Sequence, residues 1–218
     1  MPRLTDMATV LLVRHGRTTA NAAGILAGRA PGVRLDDVGR AQAERTAERL
    51  AAVHLAGLVT SPMERCRQTS RIILSRQAEP PKPSIAQGLT ECDYGEWQGR
   101  HLAELAREPL WSTVQSRPST AVFPGGESML AMQRRAVTAI RRRDAAVEAQ
   151  HGADAVWVAV SHADVIKSII ADALGMDFDR FQRIFVAPAS VSVIRYGSGG
   201  AELLATNTES GDLAALRS

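Results

Sequence analysis

The chain of 218 residues is 45% hydrophobic and 22% charged, with a formal net charge of +3, which is ordinary for one soluble α/β domain. Its two cysteines match no zinc or redox spacing, and it has no apolar stretch typical of a signal peptide or membrane span, so we expect a cytoplasmic protein without membrane contact. The arginines that make the chain basic are interspersed with acids and are interpreted as a solvated helix face, so no nucleic-acid partner is predicted.

Strands and helices are predicted to alternate in the first half of the chain. In chain order, the patterns indicate a buried strand at 10–14, a helix over 37–52, a buried strand at 57–60, a helix that ends near residue 75 and a breaker-rich loop at 78–83. The helix before residue 75 has a start signal, in which Ser61 is predicted to cap, Pro62 to take the first helical position and Glu64 to complete a capping box.

The second half of the chain adds one long helix and a closing pair of strands. In chain order, the patterns indicate a short helix at 102–107, irregular chain up to a turn at 124–126, a helix over 127–150, a strand at 155–160, a helix over 163–174, and strands at 191–196 and 202–207 joined by a turn at 197–200. The predicted fold class is therefore α/β, a single doubly wound and mostly parallel sheet flanked by helices, with an antiparallel edge strand. We expect one domain over 1–218, in which residues 92–125 are an insertion that covers the substrate.

Three of the predicted strands end next to basic residues. The first ends in Arg14 and His15, the second is followed after one helical turn by Arg65, and the third is followed by His162. Ligands of open α/β sheets bind beyond the carboxyl ends of the strands, so neighbouring strands would bring these four side chains together. Four basic groups in a small space repel one another unless an anion lies between them, and phosphate matches the geometry of a guanidinium.

Five short motifs follow one another between about residues 9 and 210. They are V-R-H-G at 13–16, S-P-M-E-R-C-R-Q-T at 61–69, L-T-E-C-D-Y-G-E-W-Q-G at 89–99, F-P-G-G-E-S at 123–128 and V-S-H-A at 160–163. In this order they resemble the motifs of the histidine phosphatase superfamily, which includes cofactor-dependent phosphoglycerate mutases and many small-molecule phosphatases.

The resemblance implies a role for each candidate site residue. It implies that His15 is the nucleophile that forms a phosphohistidine, and that Glu91 donates a proton to the leaving oxygen. The implied phosphate-binding residues are Arg14, Asn21, Arg65 and His162. Such a mechanism requires no metal and no other cofactor, because fixed cations can stabilise the transferring phosphoryl group. A nucleophilic histidine must be neutral, and we expect Gly16 to let the backbone turn tightly beside it.

Two positions depart from the common pattern of this family. Arg17 stands where a glutamate often follows the glycine, and Ala163 stands where a glycine often follows the second histidine. Neither departure removes a group with an implied catalytic role. Arg17 adds positive charge at the predicted mouth of the pocket, so we include it among the phosphate-binding candidates and expect it to favour substrates with a second anionic group.

The resemblance leaves the reaction and the substrate open. Hydrolysis of a small phosphorylated metabolite is favoured because residues 100–123 are compact and F-P-G-G-E-S resembles the phosphatase branch. The alternatives are a cofactor-dependent phosphoglycerate mutase and, ranked lower, a non-catalytic phosphate-binding regulatory module, which would lack the nucleophile or the acid. Sugar phosphates, phosphoglycerate derivatives and nucleotide-like monoesters such as α-ribazole phosphate all fit, and both a monomer and a homodimer remain open.

Overall fold

The structure is a computed structural model that describes residues 8–197 and 199–211. Its strands are β1 (Thr9–Arg14), β2 (Gly57–Thr60), β3 (Pro83–Ile85), β4 (Val156–Ser161), β5 (Val191–Gly197) and β6 (Gly200–Thr208). Its α-helices are α1 (Thr19–Ala22), α2 (Asp37–Leu50), α3 (Glu64–Ser75), α4 (Leu102–Leu105), α5 (Pro109–Ser116), α6 (Met129–His151) and α7 (Ala163–Ala173). Short 3-10 helices lie at Gln87–Leu89, Gly95–Trp97, Pro118–Thr120 and Phe178–Arg183.

The described strands form one six-stranded sheet in the order β3-β2-β4-β1-β5-β6. The first four of these run parallel, whereas β5 pairs antiparallel with β1, and β6 pairs antiparallel with β5. Parallel neighbours need crossover connections, and α2, α3 and α6 lie between consecutive strands of the parallel part. The predicted fold class, a mostly parallel sheet flanked by helices with an antiparallel edge, is confirmed.

Helices cover both faces of the sheet because successive strand residues point to opposite sides. One apolar core joins the sheet to α2 and α3 and includes Leu11, Val13, Leu50, Ile73 and Val158. The other core joins the sheet to α6 and α7 and includes Val10, Leu12, Ile140, Trp157 and Ile166. Because β1 contributes to both cores, its position and direction are fixed from both sides, and so is the place where it ends.

The predicted start of the helix after β2 is wrong. α3 begins at Glu64, and Met63 occupies the capping position without a side-chain hydrogen bond. The Oγ of Ser61 lies instead 2.8 Å from Nε2 of His162. Ser61 therefore bonds to a residue distant in sequence instead of capping the helix that follows it, which a reading of local capping signals does not anticipate.

Three described elements, namely β3, α5 and the 3-10 helix Pro118–Thr120, lie where the sequence predicts a loop or irregular chain. β3 begins at the end of the predicted loop 78–83 and is an exposed edge strand of three residues, which is too short to show periodicity. α5 lies in the stretch predicted to be irregular; Val114 within it is buried, and Leu110 and Trp111 pack against the apolar core beside it. The other predicted elements are confirmed, with ends shifted by at most two residues.

Two predictions touch residues that the structure does not describe. The predicted absence of an N-terminal signal falls partly on residues 1–7, and the predicted turn at 197–200 includes residue 198. Within 8–197 and 199–211, no helix is both long and apolar enough to cross a membrane.

Candidate active site

The carboxyl ends of β2, β4 and β1 lie side by side at one edge of the sheet, as the phosphate-site prediction requires. Arg14 is in register with Ser161, and the backbone N–H of His15 donates to the Ser161 carbonyl at 3.0 Å. Arg65 reaches the same place from the first turn of α3, and His162 is the residue directly before α7. We call Arg14, His15, Arg65 and His162 the basic cluster.

The ring of His15 is buried, and a hydrogen bond at each nitrogen indicates its tautomer. Nδ1 lies 2.8 Å from the carbonyl oxygen of Gly16, to which it donates, so Nε2 carries the lone pair and accepts from Nε of Arg65 at 3.2 Å. Burial, together with the charges of Arg65 and Arg14, holds the pKa of His15 well below its usual value. His15 is therefore neutral near pH 7, as a nucleophilic imidazole must be.

Two buried guanidinium N–H groups of the basic cluster have no hydrogen-bond partner within the described residues. One is Nε of Arg14, whose Nη1 donates to the carbonyl of Val186 at 2.8 Å. The other is Nη1 of Arg65, whose Nη2 donates to the carbonyl of Gly28 at 2.8 Å. Leaving a buried charged donor unpaired is costly, so this arrangement favours a bound anion that accepts from both arginines.

His162 is fully buried and is held by two residues that precede it by about a hundred positions. Its Nδ1 lies 3.1 Å from Nη2 of Arg65 and accepts from it, because a guanidinium group is only a donor. The ring proton is therefore on Nε2, which donates to Oγ of Ser61. Burial and the charge of Arg65 hold the pKa of His162 well below its usual value. The rings of His15 and His162 meet edge to face, with their centroids 5.2 Å apart. Ser61 thus orients His162, a role that the sequence analysis missed.

The carboxyl group of Glu91 faces the basic cluster. Its Oε1 accepts from the backbone N–H of Cys92 at 2.9 Å, while Oε2 lies 3.6 Å from Nδ1 of His162 and 4.0 Å from Nη2 of Arg65. Burial raises the pKa of Glu91 to about 7, against the opposing charge of Arg65. A carboxyl with such a pKa can act both as an acid and as a base near neutral pH.

A second carboxylate, that of Asp164, lies close to the same groups and was not identified from the sequence. It is in the first turn of α7 and accepts from the hydroxyl of Tyr94 at 2.8 Å and from Nζ of Lys167 at 3.3 Å. Its negative charge favours the protonated forms of both Glu91 and Arg14. The available signal was its position two residues after His162, because the first turn of a helix at a strand end faces the ligand site.

Arg17 and Asn21, the two remaining phosphate-binding candidates, bond outside the basic cluster. Nε of Arg17 forms an ion pair with Asp36 at 2.8 Å, which balances the charge expected to favour a second anion. The side-chain oxygen of Asn21 accepts from the backbone N–H and the hydroxyl of Thr18, in the capping box of α1. Arg65 thus contacts His15, Glu91 and His162, and Arg14 lies beside them. Phosphate binding by Arg17 and Asn21 stays a prediction.

Gly16 is required by close packing, and the backbone there does not need the conformational freedom of a glycine. Its φ lies outside the left-handed region. A Cβ at Gly16 would overlap the backbone carbonyl of Gly39 in α2, and its N–H donates to Oγ1 of Thr69 at 3.2 Å. The backbone beside His15 therefore packs closely against α2 and is hydrogen-bonded to α3.

Neither thiol chemistry nor a resident metal has support in the described residues. Burial raises the pKa of Cys66 to about 12 and that of Cys92 further still, so neither thiol ionises near pH 7. Within the described ranges, no group of three or more histidine, cysteine, aspartate or glutamate side chains is arranged to hold a metal ion.

Comparisons with known proteins identify relatives of this chain. The model of the histidine phosphatase superfamily (branch 1) matches residues 10–209. An adenosylcobalamin/alpha-ribazole phosphatase of Salmonella typhimurium is 32% identical over 202 residues, which cover 90% of this chain and 95% of that protein. The crystal structure of the alpha-ribazole phosphatase from Shigella flexneri has a TM-score of 0.80 and 28% identity, covering 93% of this chain and 97% of its own. A 2,3-bisphosphoglycerate-dependent phosphoglycerate mutase of Gloeobacter violaceus is 36% identical over 126 residues, 56% of this chain and 57% of that protein.

Proposed function

The chain belongs to branch 1 of the histidine phosphatase superfamily, and we propose that it hydrolyses small phosphate monoesters through a phosphohistidine at His15. The observation that carries the proposal is the pair of unpartnered, buried guanidinium N–H groups of Arg14 and Arg65 beside a neutral imidazole. A phosphate between the two arginines would satisfy both donors and place its phosphorus next to the lone pair on Nε2 of His15. The alpha-ribazole phosphatases that match nearly the whole chain support hydrolysis.

In the first step, Nε2 of His15 attacks phosphorus as the bond to the leaving oxygen breaks. Glu91, in its protonated form, gives its proton to that oxygen, so an alcohol departs and a phosphohistidine remains. Arg14 and Arg65 stabilise the negative charge on the equatorial oxygens of the transferring group. The carbonyl of Gly16 keeps the proton on Nδ1, so that the lone pair stays on Nε2.

In the second step, water attacks the phosphohistidine and the phosphorus–nitrogen bond breaks. Glu91, now a carboxylate, takes a proton from the attacking water, which restores both the acid and the neutral imidazole. Inorganic phosphate leaves the site. A pKa of about 7 suits both roles of Glu91, since each protonation state is populated near neutral pH.

Hydrolysis is supported over transfer to a second hydroxyl by the charges around the site. A mutase must hold a second phosphate or carboxylate, which needs a further cation. In the segment 92–125, which we propose covers the substrate, Arg100 pairs with Glu108 at 2.7 Å, and Arg107 and Arg117 are exposed. The carboxylate of Asp164 adds negative charge next to Arg14 and Glu91.

The mutase remains the second candidate because of the 36% identity with a phosphoglycerate mutase. Incubation with 3-phosphoglycerate, with and without 2,3-bisphosphoglycerate, separates the two reactions. We expect release of inorganic phosphate and no 2-phosphoglycerate. Formation of 2-phosphoglycerate faster than phosphate release would assign the mutase reaction instead.

The substrate that we propose to test first is α-ribazole 5′-phosphate, because relatives that match most of the chain are alpha-ribazole phosphatases. Sugar phosphates and phosphoglycerates form the rest of the panel. A cytoplasmic location fits the two buried free cysteines, which form no disulfide.

Hydrolysis of an alkyl phosphate such as glycerol 3-phosphate is expected to slow as the pH rises above about 7. A carboxyl whose pKa is raised to about 7 keeps its proton below that pH and loses it above, and the first step consumes that proton. We expect kcat/KM to fall roughly tenfold per pH unit above pH 7, and Glu91→Gln to lower it by about 10²- to 10³-fold and remove the slope. p-Nitrophenyl phosphate is the control, because its leaving group departs without a proton. A flat alkyl-phosphate profile across neutrality would contradict the role of Glu91.

Asp164→Asn is expected to raise kcat/KM for substrates that carry a second negative charge. 3-Phosphoglycerate and glycerol 3-phosphate differ in one carboxylate, so the ratio of their kcat/KM values measures the repulsion. Removing the Asp164 charge should raise that ratio about fivefold, which corresponds to roughly 1 kcal/mol. Asp172→Asn is the matched control, since Asp172 also lies in α7 and pairs with a basic residue, Arg141. An unchanged ratio in Asp164→Asn would show that this carboxylate does not act on the substrate.

A further inference from the structure

The main chain around Glu91 is held by two arginines that come from different parts of the sequence. Arg135, in α6, donates through Nη1 to the carbonyls of Gly88 at 2.8 Å and Thr90 at 2.6 Å, and through Nη2 to that of Glu91 at 3.1 Å. Arg29 donates through Nε to the same Glu91 carbonyl at 2.9 Å. Four hydrogen bonds from charged groups thus fix the loop at the residue that carries the proposed acid.

One carboxylate, that of Glu127, joins the two arginines. It accepts from Nη2 of Arg29 at 2.9 Å, and from Nη2 and Nε of Arg135 at 2.6 and 3.0 Å. It also accepts from the backbone N–H of Asp93 at 2.9 Å, while the Asp93 side chain pairs with Nη1 of Arg29 at 3.2 Å. The two cations therefore face two anions, and this network is balanced without a ligand, unlike the basic cluster.

The side chain of Glu91 follows its main chain because of its own hydrogen bond. Oε1 accepts from the N–H of Cys92, the next residue, so the carboxyl group is tied to the backbone at 91–92. Any group that fixes this backbone also fixes Oε2, the oxygen that faces the basic cluster. The arginines act on the carbonyl of Glu91 and touch neither its carboxyl group nor the reacting atoms.

Arg29 also belongs to the segment that holds Arg65. The carbonyl of Gly28, the preceding residue, accepts from Nη2 of Arg65 at 2.8 Å. Gly28 has a φ of 52°, in the left-handed region, and a Cβ there would press on the side chain of Gln98. Gly28 thus contacts Arg65, and Arg29 contacts the loop that carries Glu91. Because these two residues are consecutive, they set the distance between Arg65 and that loop.

We propose that Arg29, through Glu127 and together with Arg135, positions the carboxyl group of Glu91 for proton donation to the leaving oxygen. This inference rests on the proposed function. Arg29 is the residue to test because its side chain is 35% exposed, so we expect a substitution there to be compatible with folding. Arg135 satisfies three carbonyls of the loop, and its loss would also disturb the loop itself.

In the phosphorylation step, a displaced Glu91 slows only substrates whose leaving group needs a proton, and kcat/KM reports on this step. The later attack of water on the phosphohistidine enters kcat for every substrate. Arg29→Gln is therefore expected to lower kcat/KM for glycerol 3-phosphate by about 10- to 100-fold while changing kcat/KM for p-nitrophenyl phosphate less than about threefold. Stabilisation of the folded protein by inorganic phosphate should change little, because Arg14 and Arg65 are untouched. Arg29→Lys keeps the charge but offers no guanidinium fork, so it should recover only part of the alkyl-phosphate rate.

Arg141→Gln is the control variant, since it also removes an arginine from an ion pair, with Asp172 at 2.7 Å, but in a different part of the fold. It should leave the rates on both substrates unchanged. An equal loss of kcat/KM on both substrates in Arg29→Gln, or no loss on either, would overturn the positioning role. Failure of the proposed function is distinguishable, because the wild-type protein would then hydrolyse neither substrate.

Discussion

Replacing His15 with alanine is expected to lower kcat for p-nitrophenyl phosphate by roughly 10⁴-fold or more, because the substitution removes the atom that forms the covalent intermediate. The other groups remain, so residual binding of phosphate is expected. The leaving group of this substrate needs no proton, so the loss reports on the nucleophile and not on Glu91. Steady-state rates of phosphate release provide the measurement.

His54→Ala is the control for this substitution, because His54 is an exposed histidine outside the basic cluster. It should keep the wild-type rate. A His15→Ala variant that retained more than about a tenth of that rate would show that phosphoryl transfer does not pass through this residue.

Replacing Arg65 with methionine is expected to lower kcat/KM by about 10³-fold on every phosphate monoester, whatever its leaving group. Arg65 contacts the lone-pair nitrogen of His15 and Nδ1 of His162, and its Nη1, which has no partner within the described residues, can donate to an anion. Methionine fills a similar volume but offers no donor. Arg65→Met should therefore weaken both the binding of phosphate in the ground state and the stabilisation of charge in the transition state.

Inorganic phosphate supplies a second measurement on the same variant. A ligand that binds only the folded protein raises its melting temperature. We expect saturating phosphate to stabilise the wild-type protein and Arg67→Met, an exposed position in the same helix α3, but not Arg65→Met. A phosphate-induced shift in Arg65→Met equal to that of the wild type would contradict its place in the phosphate site.

The parts of this site that the sequence predicts are those set by the ends of buried strands. The apolar runs of β1, β2 and β4 determine three neighbouring strands, and Arg14 and His162 lie where two of them end. Glu91 lies on a loop without periodicity, so only the resemblance to a family identifies it. Its surroundings, which raise its pKa, depend on tertiary contacts.

The parts that the sequence does not predict depend on pairs of residues far apart in the chain. Ser61 follows a strand and precedes a proline, which is a capping pattern, yet its hydroxyl bonds to His162, 101 positions later. Arg29 and Glu127 are separated by 98 positions and carry no local signal of their contact. Charged surface residues occur in every sequence of this length, so only the folded arrangement distinguishes the network that holds Glu91.

The most direct test of phosphoryl transfer to His15 is to trap the intermediate. In Glu91→Gln, p-nitrophenyl phosphate can still phosphorylate the histidine, but the base that activates water is gone, so the phosphorylated protein should accumulate after rapid quenching. Peptide mass spectrometry should then find one acid-labile phosphoryl group, on His15. Turnover with no phosphoryl group on the protein, or a phosphoryl group on any other residue, would contradict phosphoryl transfer to His15.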